Sequence, residues 1–115
     1  MQDSRENPEK LSQGQYNQDI KADAGKPRLS LVPTQILNDI AFVRAFGCIK
    51  YPSVDSWKQV EPERYRDAAF RHLIAYINDP KSVDEESGLP HLWHLATNIA
   101  FLCELEKNEV DHSER

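Results

Sequence analysis

The chain has 115 residues, 39% hydrophobic and 29% charged, which is enough for one small domain and too few for two. A formal net charge of −5 leaves no general basic field to hold a nucleic-acid polymer, although a small phosphorylated ligand needs only a local cluster of Lys and Arg. No apolar run approaches the roughly 20 residues of a membrane span, and the polar N-terminus lacks the apolar centre of a signal peptide. A cytoplasmic location with no membrane partner is therefore expected.

Residues 1–22 contain almost no large apolar side chain and are expected to form a disordered polar tail, and the segment 107–115 is mostly charged. What is left, residues 23–106, should be a single helical domain. At that size one core is marginal and oligomerisation is a common remedy, so a homo-oligomer, dimer or larger, is expected. Cys48 and Cys103 are the only cysteines and lie far apart, which favours reduced thiols over a disulfide framework.

Leu29-Ser30-Leu31-Val32-Pro33 alternates apolar residues between prolines and predicts one short strand near residue 30. Thr34 can cap a first helix running to about Phe46, with Ile36, Leu37, Ile40, Val43 and Phe46 on one side and Gly47 as its stop. Cys48 to Val60 reads as a loop that carries Lys50, Tyr51 and Trp57. Pro62 opens a second helix, 62–78, whose apolar arc is Tyr65, Ala68, Ala69, Leu73, Tyr76 and Ile77. His72 falls inside that arc, and Arg71 at its edge beside Arg64. An acidic connection, 81–86, leads to Ser87 and Gly88, which can open a third helix with Pro90 in its first turn. This third helix is apolar nearly all round, through Trp93, Ala96 and Ala100 as well as Leu95, Leu102 and Leu105, which implies burial on most sides. The expected fold is mainly α, a small bundle of three principal helices with a disordered N-terminal tail.

His91, His94 and Asn98 fall within about 60° of one another on the third helix, on an otherwise apolar stripe. Buried polar groups left without partners cost about 1–3 kcal/mol each, so something must satisfy them. One solution is a divalent metal (Mg, Mn or Zn) held by His91 and His94 with His72, Asp84 and Glu86 as the further nitrogen and oxygen donors. The other is a network of hydrogen bonds inside a helical core. Arg71 suits a planar partner, either a ligand phosphate or the Glu86 carboxylate. Gly25, Lys26 and Arg28 could fold over a phosphate or form a solvated hinge. They are not a Walker loop, since Ile20 stands where the first glycine belongs and Pro27 follows the lysine. Lys50, Tyr51 and Trp57 offer a cation and stacking faces for a base, or simply close the edge of a small core. No Ser or Cys lies in a nucleophile context.

Asp23-x-Gly25-Lys26-x-Arg28, then Lys50-Tyr51 and a Trp, then Ala69-x-Arg71-His72-Leu73, then Asp84-x-Glu86-Ser87-Gly88-Leu89-Pro90-His91-Leu92-x-His94 with Asn98 following, resembles the phage and prophage family named for the N-terminal domain of dATP/dGTP diphosphohydrolase. The likeness spans about residues 21–106. It implies purine deoxynucleotides as substrates and, in longer members, a joined MazG-like nucleotide pyrophosphohydrolase module. Modules of that kind bind magnesium through Glu-x-x-Glu and Glu-x-x-Asp on neighbouring helices. Here Glu-x-x-Glu occurs only at Glu6 with Glu9 and at Glu106 with Glu109, in the polar ends.

The leading expectation is a nucleotide phosphohydrolase acting on purine deoxynucleoside triphosphates. Its catalytic residues would be His72, Glu86, His91 and His94, and its metal ligands would come from His72, Asp84, Glu86, His91 and His94. Lys26, Arg28, Lys50, Tyr51, Trp57, Arg71 and Asn98 would bind substrate. The alternatives are a non-catalytic nucleotide-binding protein, such as a phage protein sequestering a host nucleotide signal, and a structural homo-oligomer.

Overall fold

A computed structural model describes residues 25–107. The predicted tail over 1–22, and all of the C-terminal segment except Lys107, lie outside the described residues. The chain divides into two units, Met1–Val32 and Pro33–Arg115.

In the first unit the predicted strand is a short 3-10 turn, Leu29–Leu31. The Leu31 and Val32 N–H groups donate to the carbonyls of Arg28 and Leu29, each at 3.1 Å. A lone extended segment would have left those groups without a ladder partner, and local bonds satisfy them instead. Among the described residues there is no strand, and the one β pairing is an isolated bridge between Val83 and Pro90.

The second unit holds three helices, α1 (Gln35–Lys50), α2 (Pro62–Asn78) and α3 (His91–Leu105), with a 3-10 turn at Ser56–Gln59. α1 follows Thr34, whose side chain makes no capping bond, and runs four residues beyond Phe46, its predicted end, straight through Gly47. It ends where Pro52 forbids continuation. Tyr51, the residue before that proline, is extended at φ −112° and ψ 154°, as the proline ring requires. α2 begins on Pro62, whose missing N–H would have had no partner in the first turn. α3 starts later than predicted, with Pro90 at its N-cap. Ser87 and Gly88 belong to the turn before it, where Gly88 takes φ +73°, a conformation that favours glycine.

α2 and α3 run antiparallel, His72 meeting His91 and His94 at one end and Tyr65 meeting Phe101 at the other. α1 packs on α3, with Phe42 stacked on Trp93 at 5.6 Å between ring centroids, and none of its Cα atoms comes within 8 Å of one in α2. The gap thus left between α1 and α2, floored by α3, is the feature that matters for function. The described residues do not bury α3 on most sides. Its buried residues are Thr97 and Asn98, while Leu92, Ile99 and Cys103 are exposed. Both cysteines are free thiols.

Candidate active site

The cleft between α1 and α2 has a volume of about 650 Å³. α1 contributes Arg44 and Lys50, the following loop Tyr51 and Trp57, α2 Arg64, Tyr65, Arg71 and His72, the turn before α3 Asp84 and Glu86, and α3 His94, Thr97, Asn98 and Phe101. Cations and aromatic rings line its walls, and buried polar side chains form its floor.

One end is a histidine cluster. The Nδ1 atoms of His72 and His91 lie 2.8 Å apart, and the His72 ring stacks on His94 at 4.8 Å between centroids with 14° between planes. Asp84 completes the group, since one ligating atom from each of His72, Asp84 and His91 lies within 4.8 Å of the others. Asp84 is fixed by its own turn, where Oδ2 accepts the N–H groups of Glu86 at 3.1 Å and Ser87 at 3.0 Å, and its backbone N–H and carbonyl bind Leu89 and Gly88. Burial pushes its pKa up, but the N–H bonds from Ser87 and the nearby His94 and His72 outweigh it and hold the carboxyl below its usual range. The charged form is therefore available to a cation.

Burial, together with the neighbouring imidazoles, pulls the His72 pKa down to about 4, and burial likewise lowers His94. At neutral pH these rings carry lone pairs and no charge, the form that ligates metal or accepts a proton. Ring nitrogens from His72 and His91 with a carboxylate oxygen from Asp84 suit zinc or manganese, so the residues present fit a divalent cation. The other two predicted ligands are placed differently. His94 Nε2 is 2.6 Å from Ser87 Oγ, and Glu86 forms an ion pair with Lys50 at 2.7 Å. That bond from Glu86 is the largest reason the Lys50 pKa is raised. Glu86 is consequently not the partner of Arg71, which with Arg64 makes no ion pair among the described residues.

Asn98, 9% exposed, donates from Nδ2 to the His94 carbonyl at 2.8 Å, which leaves its Oδ1 and its second N–H for the cleft. Trp57 is stacked on Phe101 at 4.6 Å, with the Arg44 guanidinium 5.9 Å from the Trp57 ring and 5.3 Å from that of Phe101. One face of the indole is thus already covered. The Lys50 ammonium sits 5.2 Å from the Tyr51 ring. Lys26 and Arg28 belong to the first unit, beside its 3-10 turn.

Sequence reasoning missed Arg44, Arg64 and Ser87 as site residues. Arg64 stands seven residues before Arg71, two turns along one face, and that spacing was the available signal. Nothing in the periodicity pointed to Ser87, whose contact with His94 depends on the turn at Gly88.

The protonation of these rings sets an acid limit on stability. Above pH 6.5 a histidine is neutral whether the chain is folded or not. Between pH 6.5 and about 4 the unfolded chain takes up a proton that folded His72 resists, so stability falls as pH falls. Discounted for the solvent that reaches this half-buried ring, His72 should cost about 1 kcal/mol by pH 5, with His94 acting in the same direction. Urea unfolding in chelator-treated buffer at pH 7 and pH 5 measures it, and His72→Asn should flatten the difference. An unchanged pH dependence in that variant would remove His72 as its source.

Over residues 16–115 the sequence matches the family described as dATP/dGTP diphosphohydrolase, N-terminal. The chain belongs to that family. It is also 33% identical over 96 residues to a dATP/dGTP diphosphohydrolase of Salmonella phage PMBT28, a match covering 84% of this chain and 32% of the relative. The chain thus spans about a third of that relative's length. No solved structure matches it. No helix among the described residues is long and apolar enough to cross a membrane.

Proposed function

We propose that this chain hydrolyses purine deoxynucleoside triphosphates in the cleft between α1 and α2, with a divalent cation held by His72, Asp84 and His91. The observation that carries the reading is the convergence of those three donor groups at one end of a cleft lined by Arg44, Lys50, Arg64 and Arg71. The bound cation would lower the pKa of a coordinated water and polarise a phosphoryl oxygen. The chain's own residues supply the rest. Arg71 and Arg64, two turns apart on α2 and without carboxylate partners among the described residues, neutralise phosphate charge. Neutral His94 can take up a proton at its ring. Glu86 holds Lys50 over the cleft. Along α3, Asn98 lies seven residues, about 10 Å, beyond His91. Its Oδ1 and remaining N–H form the acceptor and donor pair that matches the N6 and N7 edge of adenine. Family membership and the printed name of the phage relative support the substrate class.

A panel of deoxynucleoside triphosphates tests the reading, assayed with the chelator-treated protein before and after adding Mg²⁺, Mn²⁺ or Zn²⁺. Purine turnover that requires metal is expected. Nucleotide-dependent thermal stabilisation without turnover would favour a second reading, a nucleotide-binding module that leaves the chemistry elsewhere. That reading is suggested by the chain covering only 32% of its phage relative. Neither turnover nor stabilisation would end both.

A further inference from the structure

The α2–α3 hairpin has two broad sides. α1 covers one, where the cleft lies, and nothing among the described residues covers the other. Along α2, Phe70, Ile74 and Ile77 recur at i, i+4 and i+7 and form one stripe, exposed by 63%, 46% and 64%. Along α3, Leu92 and Ile99 form a second, exposed by 42% and 47%. Leu73 on α2 and Leu95 and Leu102 on α3, all half-buried, lie on the helical wheel between each stripe and the seam joining the helices. In an antiparallel pair of right-handed helices these positions fall on the same side. The two stripes and the leucines between them therefore make one continuous apolar face, turned away from the cleft.

We infer that this face is buried against a second copy of the chain, giving a two-fold dimer with four helices in its interface layer. The described residues bury only two hydrophobic side chains well, Val43 and Ala69, too few to sustain a domain of this size alone. The five exposed side chains offer on the order of 500 Å² of apolar surface, over half of the ~800 Å² per partner in an ordinary stable interface. The face is also self-complementary. Phe70–Ile77 and Leu92–Ile99 each span seven residues, about 10 Å of helix, so a two-fold axis can lay the α2 stripe of one copy along the α3 stripe of the other at matched length. The cleft stays open on the far side, so the dimer and the reaction assigned to the cleft stand or fall separately.

Light scattering on the full chain over a range of concentrations, with hydrogen exchange at each, tests the inference. A particle of twice the chain mass is expected, together with exchange over 70–77 and 92–99 that rises several-fold on dilution while α1 is unchanged. Ile74→Asp should halve the mass and keep the helical circular dichroism. Should that variant fail to fold, the dilution exchange of the unaltered chain decides. A monomer at every concentration, as would follow if a different segment or partner covered the face, overturns the proposal. So does a dimer whose dilution-sensitive amides lie elsewhere.

Discussion

Replacing His72 with alanine is expected to abolish metal-dependent hydrolysis, cutting turnover by more than ~100-fold. Loss of a residue that merely orients a ligand already costs about 10–100-fold in affinity or activity, and His72 would be a ligand itself. It is also the centre of the cluster. Its ring meets His91 edge to edge through Nδ1 and His94 face to face, so alanine removes the donor and the surface that positions two further imidazoles. The same change should weaken binding of Mn²⁺ or Zn²⁺ in calorimetry. Folding should survive, because His72 is half-buried and alanine suits a helix interior. A variant that keeps full turnover, or loses turnover while binding metal as before, would take His72 out of the site.

The helices were legible because their signals are local. Pro62 marks the start of α2, and the arc from Tyr65 to Ile77 sets its inner face. Errors arose where a distant residue or a missing partner decided the outcome. Gly47 reads as a stop, but the helix continues until the constraint imposed by Pro52, and a strand near residue 30 needs a neighbour that the described residues do not provide. The site divides the same way. His91, His94 and Asn98 share a face by helix geometry alone, and their proximity to His72 needed only the antiparallel pairing of α2 and α3. The partner of Glu86 could not be read, because Arg71 and Lys50 are both plausible by charge and only the crossing of α1 over α3 selects Lys50. Nor could the open side of the hairpin be foreseen. An all-round apolar helix predicts burial, and the sequence does not say whether its own chain or another supplies the cover.

Arg71→Ala should raise KM for a purine triphosphate by about 10–100-fold, the range expected for losing a charge-assisted bond of ~1.5–3 kcal/mol. Thermal stability should stay within about 0.5 kcal/mol, because Arg71 is exposed, lines the cleft, and makes no ion pair among the described residues. Arg71→Lys separates charge from shape. A lysine keeps the cation but loses the fork that grips two phosphoryl oxygens at once, so it should recover only part of the affinity. Arg64→Ala, two turns away on the same face, should show a smaller rise because it lies farther from the histidine cluster. The structural reading of Arg71, in which it served Glu86, predicts that affinity and stability fall together. With Glu86 held by Lys50 instead, that pattern should not appear, and finding it would mean the cleft rearranges around Arg71 when it binds. Steady-state kinetics and thermal unfolding on the same preparations distinguish the cases. An unchanged KM for both arginine variants would remove the phosphate from this wall of the cleft.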